Sequence, residues 1–92
     1  MRTPFIAGNW KMHKTVGESL ALVDELLART EVLAGVEVGI APPFTALHAV
    51  GKRIANTKLR LCAQHVHFEA QGAFTGEVSV AMLADVGVRY VL

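Results

Sequence analysis

The chain reads as an α/β protein built on parallel strands in the order βαβαβαβ, and three observations predict this. Four short apolar runs (4–12, 36–41, 59–64 and 88–92) are rich in Val, Ile and Leu. They show little of the alternation that marks a strand with one face in water, as expected for strands buried on both faces. The intervals between them carry apolar residues at helical spacing. Gly, Pro and hydroxyl residues stand at the junctions. Strand–helix–strand connections of this kind cross over right-handed and leave the strands parallel. Pattern alone leaves two architectures open, half of a closed barrel or a small open sheet, and both place function at the carboxyl ends of the strands.

The first strand, Pro4 to Met12, is followed by a helix with a marked start. Thr15-Val16-Gly17-Glu18 fits a capping box, with Thr15 reaching forward and Glu18 reaching back. Leu20, Val23, Leu26 and Leu27 then fall on one face, with Glu18, Asp24, Glu25 and Arg29 largely on the other. Gly35 suits the turn into the second strand, Val36 to Ala41. Pro42-Pro43 ends that strand and opens a helix from Thr45 to about Asn56, with Leu47, Val50 and Ile54 inward. After the third strand, Leu59 to Gln64, a long connection runs from His65 to Val78. Ordered connections of this length in compact folds usually serve function. Ser79 caps a short third helix with Val80, Leu83 and Val86 inward, closed by Gly87 ahead of the last strand, Val88 to Leu92.

Composition narrows the function classes. The nine Lys and Arg residues are scattered among eight acids for a net charge of +1, so there is no basic stripe for nucleic acid or a membrane surface. No apolar run approaches a membrane span, and no signal peptide is evident; a cytoplasmic location is the default expectation. The single cysteine, Cys62, forms no internal disulfide. With 52% hydrophobic and 18% charged residues, the chain is apolar for its 92 residues, which points to surfaces that meet neighbours.

Chemistry concentrates at the end of the first strand. In Phe5-Ile6-Ala7-Gly8-Asn9-Trp10-Lys11-Met12, alternation sends Asn9 and Lys11 one way and Trp10 the other. An amide beside an ammonium makes poor core and a good anion site. Taken alone, the pair reads equally as a strand end bonded to neighbouring loops. A second distinctive stretch, Ala63-Gln64-His65-Val66-His67-Phe68-Glu69-Ala70-Gln71-Gly72-Ala73-Phe74-Thr75-Gly76-Glu77-Val78-Ser79, carries an apolar–hydroxyl–glycine tip that is unusual for an idle solvent loop.

These two blocks, in this order, closely resemble the triosephosphate isomerase family: its first barrel strand and its long dimer loop. The resemblance implies a partial (β/α)8 TIM barrel, with residues 1–92 as the N-terminal portion of a single domain that typically takes about 250 residues. It implies interconversion of dihydroxyacetone phosphate and glyceraldehyde 3-phosphate through an enediolate, a step of glycolysis and gluconeogenesis, without a cofactor. Lys11 then takes the catalytic role and Asn9 and Lys11 bind substrate, as suits a negative charge developing beside a phosphate. Phe74, Thr75, Gly76 and Glu77 are expected at a homodimer contact, with Thr75 approaching the partner's Asn9 region and Glu77 a polar partner there. Gln64 is expected to tie down the loop base. The glutamate base and neutral histidine electrophile are known features of the family itself, not readings of the residues present. The resemblance places both groups, and the phosphate-binding loops, outside these 92 residues, so the chain on its own is expected to be inactive. Exposed strand edges lead us to expect self-association or a complementary chain.

The remaining candidates are weaker. Cys62, His65 and His67 lie close in sequence, but Cys62 and His65 face opposite sides of an extended chain and no zinc-binding motif is present. Cys62 reads as a small core residue, and His65 and His67 as hydrogen-bonded anchors; His65 stands where the family commonly has asparagine. His48 reads as solvated, Trp10 and Phe44 as packing between barrel and helix. The glycines spell neither a P-loop nor a dinucleotide fingerprint, so no nucleotide site is expected.

Overall fold

The computed structural model describes residues 3–30 and 35–92. Its elements are β1 (Phe5–Asn9), α1 (Val16–Thr30), β2 (Glu37–Ala41), α2 (Phe44–Ile54), β3 (Leu59–Ala63), α3 (Val80–Asp85) and β4 (Tyr90–Val91). The strands form one sheet in the order β1-β2-β3-β4, and every pair is parallel. The expected βαβαβαβ order is therefore present, with the sheet curled as in half a TIM barrel.

Local signals act where the sequence placed them. The Thr15 amide and hydroxyl both donate to Glu18 Oε1, at 2.9 and 3.0 Å, and the Glu18 amide returns a 3.3 Å bond to Thr15 Oγ1. Ser79 Oγ accepts from the Met82 amide at the start of α3, and Gly87 ends that helix with φ +95°. The core lies between the outer face of the sheet and α2: Ile40, Leu59 and Leu61 meet Leu47, Val50 and Ile54, all buried. Arg53 joins α2 to α1, its Nε and Nη2 donating to the two carboxylate oxygens of Asp24 at 2.9 and 2.7 Å.

The strand register sorts the inner face into layers. Phe5 aligns with Glu37, Ala7 with Gly39 and Asn9 with Ala41; Gly39 aligns with Arg60, and Cys62 with Tyr90. Gly39 is the crowded point of this face. A Cβ there would lie 2.7 Å from the Phe5 ring and 2.8 Å from Cys62 Sγ. Its absence lets the Phe5 ring cross the sheet and meet Tyr90, with ring centroids 4.9 Å apart. Their strands are separated by β2 and β3, so this contact depends on the concave curl.

Two expectations need correction. β1 is exposed along its whole length, with Ile6 59% accessible, so it is not buried on both faces; no described element covers its outer side. In α3, Leu83 is buried and Val86 half-buried, but Val80 is 65% exposed. The buried stripe runs through Ser79, Leu83 and Val86, at i, i+4 and i+7, and Val80 falls beside it.

Candidate functional site

β1 stops at Asn9, short of the predicted strand end, because the chain turns there. The Trp10 amide still bonds the Ala41 carbonyl at 3.1 Å, but Lys11 has φ +54°. The period-two alternation that set Asn9 and Lys11 side by side therefore holds only as far as Trp10. What joins the two residues is a local bond: Asn9 Oδ1 accepts from the Lys11 amide at 2.9 Å.

Left-handed backbone costs a side-chain-bearing residue about 1–2 kcal/mol, so something must hold Lys11 there. Part of the answer is Gln64, just past β3. Its Nε2 donates to the Lys11 carbonyl at 2.9 Å and to the Ala41 carbonyl at 2.8 Å. Gln64, the residue from which loop 65–78 departs, thus ties the ends of three strands together. Strained backbone held by surrounding bonds recurs at binding sites. Among the described residues, the Lys11 ammonium and Asn9 Nδ2 make no hydrogen bond or ion pair, and both residues are exposed. The turn therefore presents two unpaired donors at the carboxyl end of the sheet, the end at which α/β folds bind ligands.

The adjoining loop, 65–78, is built from its own side chains. His65 Nε2 lies 2.6 Å from Glu77 Oε2, and His67 Nδ1 is 3.6 Å from the same oxygen. The His67 amide donates to the Val78 carbonyl at 2.8 Å, and its ring packs on Phe74 with centroids 4.3 Å apart. The tip at Phe74, Thr75 and Gly76 is exposed. Glu77, expected as a polar group of the dimer contact, also bonds His65 within its own loop. Sequence reasoning left its partner unread because His65 is twelve residues away.

Cys62 is fully buried against Gly39, and burial pushes its thiol up from the usual value, away from reactive thiolate character. No group of three His, Cys, Asp or Glu side chains among the described residues is arranged to hold a metal ion. No helix of the described residues is long and apolar enough to cross a membrane.

The profile of the triosephosphate isomerase family matches residues 4–92. Curated relatives bearing that name are similar over all 92 residues: 54% identical in Thermodesulfovibrio yellowstonii, 58% in Chloroflexus aurantiacus and 52% in Carboxydothermus hydrogenoformans. In each case the match covers 100% of this chain and 37% of the relative.

Proposed function

Since the chain belongs to the triosephosphate isomerase family, we propose that residues 9–11 supply the anion-stabilising part of an isomerase site for triose phosphates. The observation that carries this reading is the Lys11 turn, held left-handed by Asn9 and Gln64 with its ammonium unpaired among the described residues. In the isomerisation, removal of a proton beside the substrate carbonyl leaves an enediolate whose oxygen gathers negative charge near the phosphate. A fixed ammonium at Lys11 and an amide donor at Asn9 lower the energy of that state more than that of the neutral carbonyl, which is the condition for raising kcat. The carbon base and the electrophile are groups these 92 residues do not carry. Gln64 acts by positioning Lys11.

The experiment is Lys11→Met in the complete enzyme. Turnover is expected to fall by on the order of 10²-fold or more while the unfolding transition stays put. Near-normal kinetics would remove Lys11 from the mechanism.

Loop 65–78 is our candidate for a homodimer contact, with Thr75 at the centre and Phe74, Gly76 and Glu77 around it. Its exposed, preformed tip supports this. Thr75→Arg places a long cation in that contact, so sedimentation of the complete protein should shift from dimer to monomer; an unchanged profile counts against the assignment. The exposed apolar groups of β1 and β4, among them Ile6, Tyr90 and Val91, support covering by further barrel strands, from a complementary segment or through self-association. A cytoplasmic setting fits a phosphorylated metabolite as substrate.

A further inference from the structure

We infer that the cavity between the amino ends of β3 and β4 binds a small organic dianion, a phosphate monoester with an apolar body, at the end of the sheet opposite the Lys11 turn. β4 pairs with β3 only at Cys62↔Tyr90 and Ala63↔Val91, and the Arg89 amide adds one bond to the Leu61 carbonyl at 3.2 Å. Towards the start of β3 the sheet is therefore open, and residues of the last turn of α2 wall the gap. The resulting cavity has a volume of about 560 Å³, within the range of about 300–1,000 Å³ typical of small-ligand pockets. Ile54, Leu59 and Leu61, all buried, give it an apolar floor. Its charged lining is Arg60 and Arg89, with the amide of Asn56 beside them; no Asp or Glu among the described residues lines it.

The basic residues are scattered along the chain, yet the fold brings these two to one cavity. Guanidinium does not lose its proton in proteins, so the like charges persist and only a counter-anion relieves them. Among the described residues Arg89 makes no ion pair, and the one carboxylate near Arg60 is Glu37 at 4.0 Å, beyond hydrogen-bond reach. Cations near a helix C-terminus ordinarily answer its dipole, but Lys52 and Arg53 in the last turn of α2 already do so. Arg60 and Arg89 come from the strands. A cleft of one charge sign with apolar walls concentrates ions of the other sign. Guanidinium forks match phosphate oxygens bidentately, and two fixed positive charges match the charge of about −1.5 to −2 on a phosphate monoester at pH 7. The apolar floor then takes the carbon body of the ligand.

Phenyl phosphate is the probe, titrated at constant ionic strength into the complete protein while NMR follows the amides of Asn56, Thr57, Arg60 and Arg89. Saturable shifts at these amides are expected, and Arg60→Met and Arg89→Met should each raise the dissociation constant about fivefold. Both arginines are exposed, so the variants keep the fold; an unchanged unfolding midpoint without the probe checks this. Inorganic phosphate should bind at the same amides about fivefold more weakly or worse, because it leaves the apolar floor wet. Shifts that fail to saturate, or a constant unmoved by both substitutions, overturn the site. Equal constants for the two probes overturn its organic ligand. Residues 9–11 are read in the same spectra, which keeps the two ends of the sheet apart. Saturation there with none at 56–60 overturns this inference and leaves the Lys11 reading standing, whereas arginine-dependent saturation at 56–60 supports it whatever residues 9–11 do.

Discussion

The turn at residues 9–11 and the loop at 65–78 lie at the same end of the sheet and are held in opposite ways. The turn is anchored from afar: Gln64 reaches back 53 positions in sequence to the Lys11 carbonyl, and Trp10 bonds Ala41 of the next strand. The loop is held mainly by its own side chains, through His65 and Glu77 twelve residues apart and through the His67 ring on Phe74, with Val66 and Val78 packing on the core at its base. A group that must meet a developing charge needs the rigidity of the sheet, since misplacement by about 1 Å can cost 10²-fold in rate. A group that must meet a second protein surface needs only a stable shape of its own. Damage to the sheet should therefore reach Lys11 and spare the loop.

The largest such effect is expected from Gly39→Ala. Its new Cβ would stand 2.7 Å from the Phe5 ring and 2.8 Å from Cys62 Sγ. The ring is partly exposed and can swing away, but the sulfur is fully buried and cannot. Overpacking of this kind costs about 1–3 kcal/mol, read as a lower denaturant midpoint at unchanged slope. Protection of the His67 amide relative to global unfolding should stay the same. If the loop loosens with the sheet, the two regions are not independently held.

A smaller effect, aimed at the turn itself, follows from Gln64→Leu. The Lys11 carbonyl loses its only bond among the described residues, while the Ala41 carbonyl keeps Trp10. A net loss of about 1 kcal/mol in stability is expected. Because Lys11 is then free to leave its left-handed conformation, turnover of the complete enzyme should fall by about tenfold, equivalent to about 1.4 kcal/mol in the barrier. Stability loss with intact turnover would reduce Gln64 to a structural tie between β2 and β3.

The same division separates what the sequence reveals from what it hides. Thr15 with Glu18, Ser79 with Met82, and Gly87 act within three or four residues of themselves, so their patterns are legible in one dimension. Asn9 and Lys11 are legible as residue types out of place at a strand end. Their geometry is not, because alternation assumes that the strand continues, and the bonds that turn Lys11 away come partly from Gln64, 53 positions on. The role of Gly39 is equally hidden: nothing local marks it, and only the curl that brings Phe5 towards Tyr90 makes a Cβ intolerable. The buried outer face of β2 and β3 shows in the apolar runs, but the exposed β1 carries the same kind of run. Hydrophobicity records that a surface wants cover without saying which element provides it.

The least effect is expected where a local signal stands alone, at the start of α1. The bond from the Thr15 amide, then that from its hydroxyl, holds the Glu18 carboxyl below its ordinary value of 4.5, with Lys14 adding a smaller electrostatic contribution. A group whose pKa is lower folded than unfolded stabilises the fold above its unfolded pKa and loses that contribution as pH falls through the folded one. Glu18→Gln should therefore be slightly less stable than the unaltered protein at neutral pH and converge with it as pH falls below about 4.5, which flattens the acid side of its own profile. The amide can still accept from Thr15, so the cap survives with its proton dependence removed. Acid unfolding of the variant against the unaltered protein measures this. Profiles that coincide at neutral pH as well as in acid would mean that the Glu18 carboxylate adds nothing beyond its hydrogen bonds, and that helix α1 is fixed by its packing on α2.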